Sequence, residues 1–255
     1  MGQIMKTKMN TTSFFRGGIA LVGIVVLVLG CNRGPANTND PPRAELLPPA
    51  ASTASPTSAG MTRLDASAGS KIRLEGTSII HDYQAESSLI GGFLEVGSNF
   101  PMEPGQVVSP GKVEARGVAF VTIRSLRSVE KDGRPYSDDM DDKMWKLLKQ
   151  TSFPRIVYHL EELTLKEAPK DKTAPYLFDS KGDLAVAGVT NKLSMPVTVM
   201  PLGDKKFKLT GSAPLKMTDF GIQPAGILVK TANEVTIKFE WVVGQKKPAS
   251  AATKK

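Results

Sequence analysis

The sequence predicts an all-β protein in which about eight antiparallel strands close into a barrel, with one α-helix inserted between them. Polar and apolar residues alternate over several stretches, most clearly in Val235–Val243, and a period of two is typical of strands with one buried face. A single stretch, Ser137–Gln150, has the period of a helix instead. Eight is the strand number at which a closed barrel holds packed side chains or one slender ligand.

The strand patterns follow one another along the chain, and they are centred on Gly182–Pro201, where β-branched residues lie on both arms of an expected hairpin. We expect its turn at Thr190 and Asn191. The predicted strands are Lys71–Thr77, Leu89–Val96, Val118–Ile123, Arg155–Leu165, Tyr176–Ala187, Leu193–Val199, Phe207–Leu215 and Val235–Val243.

The predicted helix has one apolar face. Ser137 or Asp138 can cap its start, acids occupy its first turn and lysines its last, and Phe153-Pro154 follows its end. Its apolar face consists of Met140, Met144, Leu147 and Leu148, flanked by Trp145. These side chains either plug the core or form an adaptable binding surface, and helical spacing alone does not separate the two.

The two ends of the chain differ in composition from the region between them. Residues 1–30 have a basic start and an apolar run of 11 residues, Ile19–Leu29, which indicates a signal peptide. Residues 31–60 are rich in Pro, Ala, Ser and Thr and predict a disordered tether, whereas residues 245–255 predict a basic disordered tail. Residues 61–244 remain for one folded domain.

The last residues of the signal segment, Val28-Leu29-Gly30-Cys31, resemble the lipobox of bacterial lipoproteins. This resemblance implies cleavage before Cys31, acylation of its thiol, and a membrane-anchored protein of the bacterial cell envelope that faces the periplasm or the outer surface. Cys31 is the one cysteine of the chain, so an exported form has no internal disulfide. The alternative is an ordinary secretory peptide or a poor membrane helix.

The positive charge of the chain lies at its ends. The net charge is +8, but the signal segment and the lysine tail leave only about +1 for residues 61–244. Nucleic-acid binding requires clustered Lys and Arg on the folded surface, so we expect no nucleic-acid partner. The tail either aids solubility or contacts an anionic surface.

Residues with catalytic or metal-binding chemistry are few. The histidines are His81 and His159, and no phosphate-binding loop, dinucleotide fingerprint or nucleophile elbow is present. His81 and Asp82 form a possible polar site, although two ligands are too few for zinc, and fixing the first hairpin is the simpler role. We therefore expect no metal, no cofactor and no enzymatic activity.

Four stretches are similar to the YceI-like family of exported polyisoprenoid-binding proteins. Lys181–Pro196 matches its G-x-L-x-x-x-G-V-T pattern, and Met140–Ile156 matches its helix followed by F-P-x-I. Gly76–Tyr83 resembles the G-T-S-T-L-H-D-W opening of its His-Asp branch, with Ile79-Ile80 and Tyr83 as departures, and Leu215–Gly221 resembles its L-x-M-x-D-F-G. The resemblance implies a lipocalin-like barrel whose lumen takes an isoprenoid or fatty acyl chain.

Two functions follow from these predictions. The first is non-enzymatic binding or transport of a long apolar lipid, and the second is a packed barrel that acts as a tethered structural or interaction domain without lipid. For the first, the predicted lumen residues are Phe120, Met144, Trp145, Leu148, Ile156, Tyr158, Phe207, Phe239 and Trp241.

Overall fold

The structure is a computed structural model of the 255-residue chain, and it describes residues 60–79, 82–224 and 231–246. Within these ranges lie 12 strands and one α-helix, α1 (Asp138–Leu147). Two short 3₁₀ helices span Ile123–Ser125 and Met217–Phe220. The strands are β1 (Thr62–Ala66), β2 (Lys71–Ser78), β3 (Tyr83–Ser87), β4 (Gly91–Val96), β5 (Gly111–Val113), β6 (Ala115–Thr122), β7 (Arg127–Val129), β8 (Arg155–Glu167), β9 (Tyr176–Val186), β10 (Val189–Gly203), β11 (Lys206–Lys216) and β12 (Thr231–Gly244).

The sheet closes on itself. Antiparallel neighbours follow in the order β1, β4, β6, β8, β9, β10, β11 and β12, and β12 returns to β1 where Val243 pairs with Ala66. The earlier part of β12 pairs with β2. β1 and β2 therefore lie end to end beside β12. β3 pairs with β2, and β7 pairs with β3. These two strands continue the positions of β4 and β6, as β2 continues that of β1. The predicted all-β fold, an eight-stranded antiparallel barrel with one inserted helix, is confirmed.

The hairpin between β9 and β10 corrects one local prediction. Ala187 and Gly188 form its turn with φ of 51° and 87°, and Val186 pairs with Val189 on either side. Thr190, where we expected the turn, lies in β10. A two-residue turn with both φ positive matches the twist of the strands and favours glycine at its second position, so the glycine determines where the chain reverses.

One end of the barrel is filled with aromatic side chains. Phe100, Phe178 and Phe207 are fully buried there, with ring centroids 6.0 Å apart for Phe100–Phe178 and 5.4 Å apart for Phe100–Phe207. Phe100 comes from the connection between β4 and β5. Tyr176 closes the same end, since its hydroxyl donates to the carbonyl oxygen of Gln106 at 2.7 Å. The lumen is therefore closed at this end.

Helix α1 is fixed to β7 by polar contacts. Ser137 caps it, because its side-chain oxygen accepts the N–H of Met140 at 3.4 Å. The carboxylate of Asp141, 4% exposed, accepts the Ser128 N–H at 2.5 Å and the Arg127 guanidinium at 2.8 Å. The chain places this helix beside the end of the barrel opposite the aromatic residues. Among the described residues, no helix is both long and apolar enough to cross a membrane.

Candidate functional site

The described part of the barrel encloses two adjacent cavities. The larger, which we call the outer chamber, has a volume of about 410 Å³ and lies between the barrel wall and α1. The smaller, the inner chamber, has a volume of about 120 Å³ and lies nearer the aromatic end. Main apolar residues of the outer chamber are Leu74, Met140, Met144, Leu147, Leu148, Val186, Leu215, Met217, Phe220, Ile222 and Val235. Those of the inner chamber include Ile72, Leu94, Leu163, Leu184, Leu193, Val197, Leu209, Phe239 and Trp241.

Two isoleucines mark the boundary between the chambers. Ile156 of β8 and Ile237 of β12 line both cavities. β8 and β12 are four strands apart in a ring of eight, so these side chains approach from opposite sides of the lumen. The chambers are therefore adjacent compartments of the lumen, with Ile156 and Ile237 at their boundary.

Glycines in the wall allow close approaches that a larger residue would prevent. A Cβ on Gly211 would lie 2.6 Å from the Phe239 ring, whereas a Cβ on Gly182 would first meet the backbone oxygen of His159 and would lie 2.9 Å from the Tyr158 ring. Because real carbon contacts are about 3.5–4.0 Å, the Phe239 ring can lie against the wall only where its neighbour is glycine. A larger residue at position 211 would push this ring towards the barrel axis and reduce the cavity.

Among the described residues that line the inner chamber, Tyr158, Ser180 and Trp241 have polar side-chain groups. The hydroxyls of Tyr158 and Ser180 share a hydrogen bond of 2.7 Å. Burial raises the pKa of the Tyr158 phenol above its usual value, against the lowering effect of this hydrogen bond. The Trp241 indole N–H is buried and has no acceptor among the described residues. The chamber is otherwise apolar.

The rim of the outer chamber is charged. Lys131 and Asp82 approach to 3.9 Å, with side chains 81% and 55% exposed. Arg134 and Asp132 form an ion pair of 2.7 Å, and the Arg134 hydrogen bonds lower the pKa of that carboxyl. Charged side chains of the described residues thus lie beside an apolar interior at the helix end.

Seven of the nine predicted lumen residues border the cavities, with Phe120 as a special case. Met144 and Leu148 project from α1 and its end into the outer chamber, and Ile156 borders both chambers. The inner chamber is lined by Tyr158, Phe239 and Trp241. Their contact with a ligand remains a prediction. Of the two alternatives for the helix, a binding surface is favoured for Met144, because its side chain borders a cavity.

Phe120 borders the inner chamber, as predicted, but from an unexpected side. It alternates with Ala119 and Val121, which belong to the core, and so its ring lies on the outer face. There it covers Gly91 and lies under the Arg155 guanidinium, 4.4 Å from the ring centroid. Both faces of this strand are apolar in sequence, and the pattern therefore does not show which face is inside.

Trp145 and Phe207 correct two further predictions. The Trp145 indole donates to the Leu126 carbonyl oxygen at 3.0 Å, and the guanidiniums of Arg124 and Arg127 each lie 5.1 Å from its ring. The ring therefore packs beside β7 and does not line either cavity. Phe207 points inward as expected, but it belongs to the aromatic end of the barrel, where no cavity remains.

The remaining candidate polar and lipidation residues are Asp82, His81, His159 and Cys31. Asp82 lies at the rim of the outer chamber, whereas His81 and Cys31 lie outside the described residues. His159 is exposed on β8. In the described part of the chain, no three His, Cys, Asp or Glu residues cluster as metal ligands would.

The sequence analysis missed several residues of the candidate site. Ser180, the hydrogen-bond partner of Tyr158, lies on the inward face of β9 together with Phe178 and Leu184. The wall glycines Gly182 and Gly211 were not recognised either. The signal that could have found them is a glycine at an inward position close to an aromatic residue of the neighbouring strand.

The fold and the cavities together define a class of protein. An eight-stranded antiparallel barrel with a hollow, apolar lumen belongs with the small barrels that enclose one slender guest. The comparisons then give the family. The family model described as the YceI-like domain matches residues 66–243, and the chain therefore belongs to the YceI-like family.

Solved structures match this chain at low sequence identity. A polyisoprenoid binding domain from Saccharophagus degradans, implicated in plant cell wall breakdown, is 14% identical, with a TM-score of 0.52 over 73% of this chain and 99% of that chain. BcnA from Burkholderia cenocepacia is 17% identical, with a TM-score of 0.48 over 68% of this chain and 95% of that chain. A Campylobacter jejuni YceI protein is 12% identical, with a TM-score of 0.39 over 59% and 93%. A search of curated proteins finds no significant match.

Proposed function

We propose that this protein binds one long, apolar lipid, an isoprenoid or a fatty acyl chain, inside its barrel and acts without catalysis. The observation that carries the proposal is the pair of adjacent apolar cavities, about 410 and 120 Å³, in the lumen. Pockets of 300–1,000 Å³ are typical of ligand sites. The Saccharophagus domain with the same fold is described as polyisoprenoid-binding, which supports an apolar chain as the guest.

Apolar burial supplies ample affinity for such a guest. Burying one five-carbon isoprene unit contributes about 4 kcal/mol, at about 0.8 kcal/mol per CH₂. Eight units would then exceed the ceiling of about 18–21 kcal/mol for non-covalent affinity. Burial alone therefore does not select a chain length, and selection falls to the depth of the lumen. The fully buried Phe100, Phe178 and Phe207 set that depth.

The alternative, a packed barrel without cargo, expects side chains to fill the centre. Among the described residues, aromatic rings pack the centre at one end of the barrel, whereas cavities of about 120 and 410 Å³ lie beyond them. No particular feature of the described residues favours an interaction domain without lipid.

Binding is tested by titrating the purified protein with a fluorescent long-chain fatty acid and displacing it with an unlabelled polyisoprenoid alcohol. Ile156→Trp should abolish uptake, since the added volume closes the boundary between the chambers. Val157→Trp is the matched control, because Val157 lies on the outer face of the same strand opposite Phe120. Uptake by Ile156→Trp equal to that of wild type would exclude the lumen as the binding site.

We also propose that the protein is exported and held at a membrane of the bacterial cell envelope through acylated Cys31, which would let it carry lipid at that membrane. The support is the sequence of residues 1–31. One buried acyl chain gives only marginal binding, whereas two or more anchor firmly. Cys31→Ser should move the protein from the membrane fraction to the soluble fraction of lysed cells. Unchanged sedimentation of the variant would refute the acyl anchor and leave lumen binding untouched.

A further inference from the structure

The first and the last strand both reach the aromatic end of the barrel with their outer ends. β1 begins with Thr62, two residues after the first described residue, and Thr62 lies beside Val96, the last residue of β4. β12 ends with Gly244, which lies beside Lys206, the first residue of β11. The chain before β1 and the chain after β12 therefore join the barrel at this end, whereas the outer chamber lies at the other.

Val107 and Leu202 expose apolar side chains at the aromatic end. Val107, 95% exposed, lies in the connection between β4 and β5, and Leu202, 50% exposed, lies near the end of β10. The backbone beside Val107 is fixed, because the Gln106 carbonyl oxygen accepts the Tyr176 hydroxyl at 2.7 Å and the Gln106 side chain accepts the Met102 N–H at 2.9 Å. Burial of both side chains against an apolar phase would be favourable.

Exposed lysines at the same end lack acidic partners. On the barrel wall, lysines pair with acids, as Lys181 does with Glu162 at 2.9 Å and Lys238 with Glu75 at 2.6 Å. At the aromatic end, four exposed lysines form no ion pair with any described residue, namely Lys170 and Lys172 between β8 and β9 and Lys205 and Lys206 at the turn between β10 and β11. Their charge is therefore available to a partner.

The flanking sequence makes the charge of this end positive. Exposed acids such as Glu103 and Asp204 offset part of the lysine charge, but residues 245–255 then add four lysines and no acid. Beside the outer chamber, by contrast, Lys131 and Arg134 each approach an aspartate. Positive charge and exposed apolar side chains thus coincide at the aromatic end, and this combination suits an anionic lipid surface.

We propose that the aromatic end docks on an anionic phospholipid membrane, with Val107 and Leu202 in the interface and the lysines at the headgroups. A membrane is favoured over an acidic protein because the segment with the proposed acyl anchor, residues 1–31, leads to this end. The inference goes beyond lipid binding in the lumen, since it concerns the outside of the barrel and holds for an empty lumen as well. The outer chamber then faces away from the membrane on which the barrel rests.

Hydrogen exchange read by mass spectrometry tests which end docks. The full-length protein is reconstituted into vesicles of phosphatidylcholine alone and into vesicles with an equal share of phosphatidylglycerol. On the anionic vesicles we expect slower exchange in the turns of the aromatic end, residues 97–110, 168–175 and 201–206, and unchanged exchange beside the outer chamber, residues 130–136 and 149–154. Added salt should reduce the difference, because it screens the attraction.

Charge reversal provides the second readout. Each lysine near an anionic surface contributes roughly fivefold to binding, so Lys205→Glu combined with Lys206→Glu should weaken docking more than about tenfold and remove the protection. Lys146→Glu combined with Lys149→Glu is the matched control, because it makes the same change of charge at exposed positions near the outer chamber. Val107→Asp should also reduce the protection, without lowering the free energy of unfolding, since this side chain is 95% exposed.

Three results would overturn the inference: no protection of the aromatic end in wild type, protection beside the outer chamber instead, or protection that survives the reversal at Lys205 and Lys206. An equal loss in the control variant would do the same. Uptake of the fluorescent fatty acid is measured separately. Its failure would overturn lipid binding in the lumen and leave the docked end in place.

Discussion

The glycine at position 211 offers a direct test of how the lumen is kept open. Gly211 shares its face of β11 with Leu209 and Ala213, which line the inner chamber, and the Phe239 ring lies over it. In Gly211→Ala the new Cβ would lie 2.6 Å from that ring. Since carbon contacts below about 3.5 Å are repulsive, the ring must move by about 1 Å or change rotamer, and the open direction is into the chamber.

The chain supplies a matched control on its outer face. The Phe120 ring packs against Gly91 on the outer face, as the Phe239 ring packs against Gly211 on the inner face. Overpacking typically costs about 1–3 kcal/mol, so both Gly91→Ala and Gly211→Ala should lower the free energy of unfolding to a similar degree. Only Gly211→Ala should lose affinity for the lumen ligand, because only its ring is displaced into the cavity of about 120 Å³.

The assay combines urea denaturation with titration of a fluorescent long-chain fatty acid. We expect the affinity of Gly211→Ala to fall at least about tenfold, which corresponds to about 1.4 kcal/mol, and that of Gly91→Ala to stay near wild type. Equal affinities of all three proteins would refute the argument that this glycine keeps the lumen open. An equal loss in both variants would show that destabilisation, and not the displaced ring, determines binding.

Three further predictions concern the boundary between the chambers, the helix and the lumen tyrosine. Ile156→Ala and Ile237→Ala should shift the preference in a competition series towards longer acyl chains, and an unchanged ranking would argue against a boundary there. Asp141→Ala should lower the free energy of unfolding by about 1–3 kcal/mol, because it leaves the buried Ser128 N–H without its acceptor; Asp142→Ala, at an exposed position, should stay within about 0.5 kcal/mol of wild type. Because the folded-state pKa of Tyr158 is raised, its contribution to stability is present below the unfolded pKa of about 10 and is lost as pH rises above it. Tyr158→Phe should therefore reduce the fall in the free energy of unfolding between pH 9 and 11, roughly the range that brackets that pKa. An unchanged dependence of the free energy of unfolding on pH would contradict this reasoning.

The sequence predicts the barrel because each strand is recognised from the alternation of polar and apolar residues within its own segment. Eight of the strands and the helix lie close to their expected positions. Thr62–Ala66 was not anticipated, since five residues of mixed polarity carry a weak pattern on their own. Its role in closing the barrel depends on pairing with Val243 and Gly244, nearly the whole domain away in sequence. Long-range pairing of this kind leaves no local signal.

The candidate site was predicted less completely than the fold. For Phe207 the inward face is correct, but its height along the barrel depends on strand stagger, which alternation does not show. For Trp145 the helical spacing gives a flank of α1, and only the packing of Leu126 beside it determines that the indole turns away from the cavity. For Phe120 both faces of the strand are apolar, so the sequence does not show whether its side chain points into the barrel or out of it.

Mass spectrometry of organic extracts tests most directly whether the barrel lumen binds a long apolar lipid. The protein should be purified from its own envelope without detergent exchange and extracted beside an equal amount of Ile156→Trp. We predict a long-chain lipid in near-equimolar amount from wild type and little or none from the variant. Repeated wild-type extracts without such a lipid, or equal amounts from both proteins, would contradict lipid binding in the lumen.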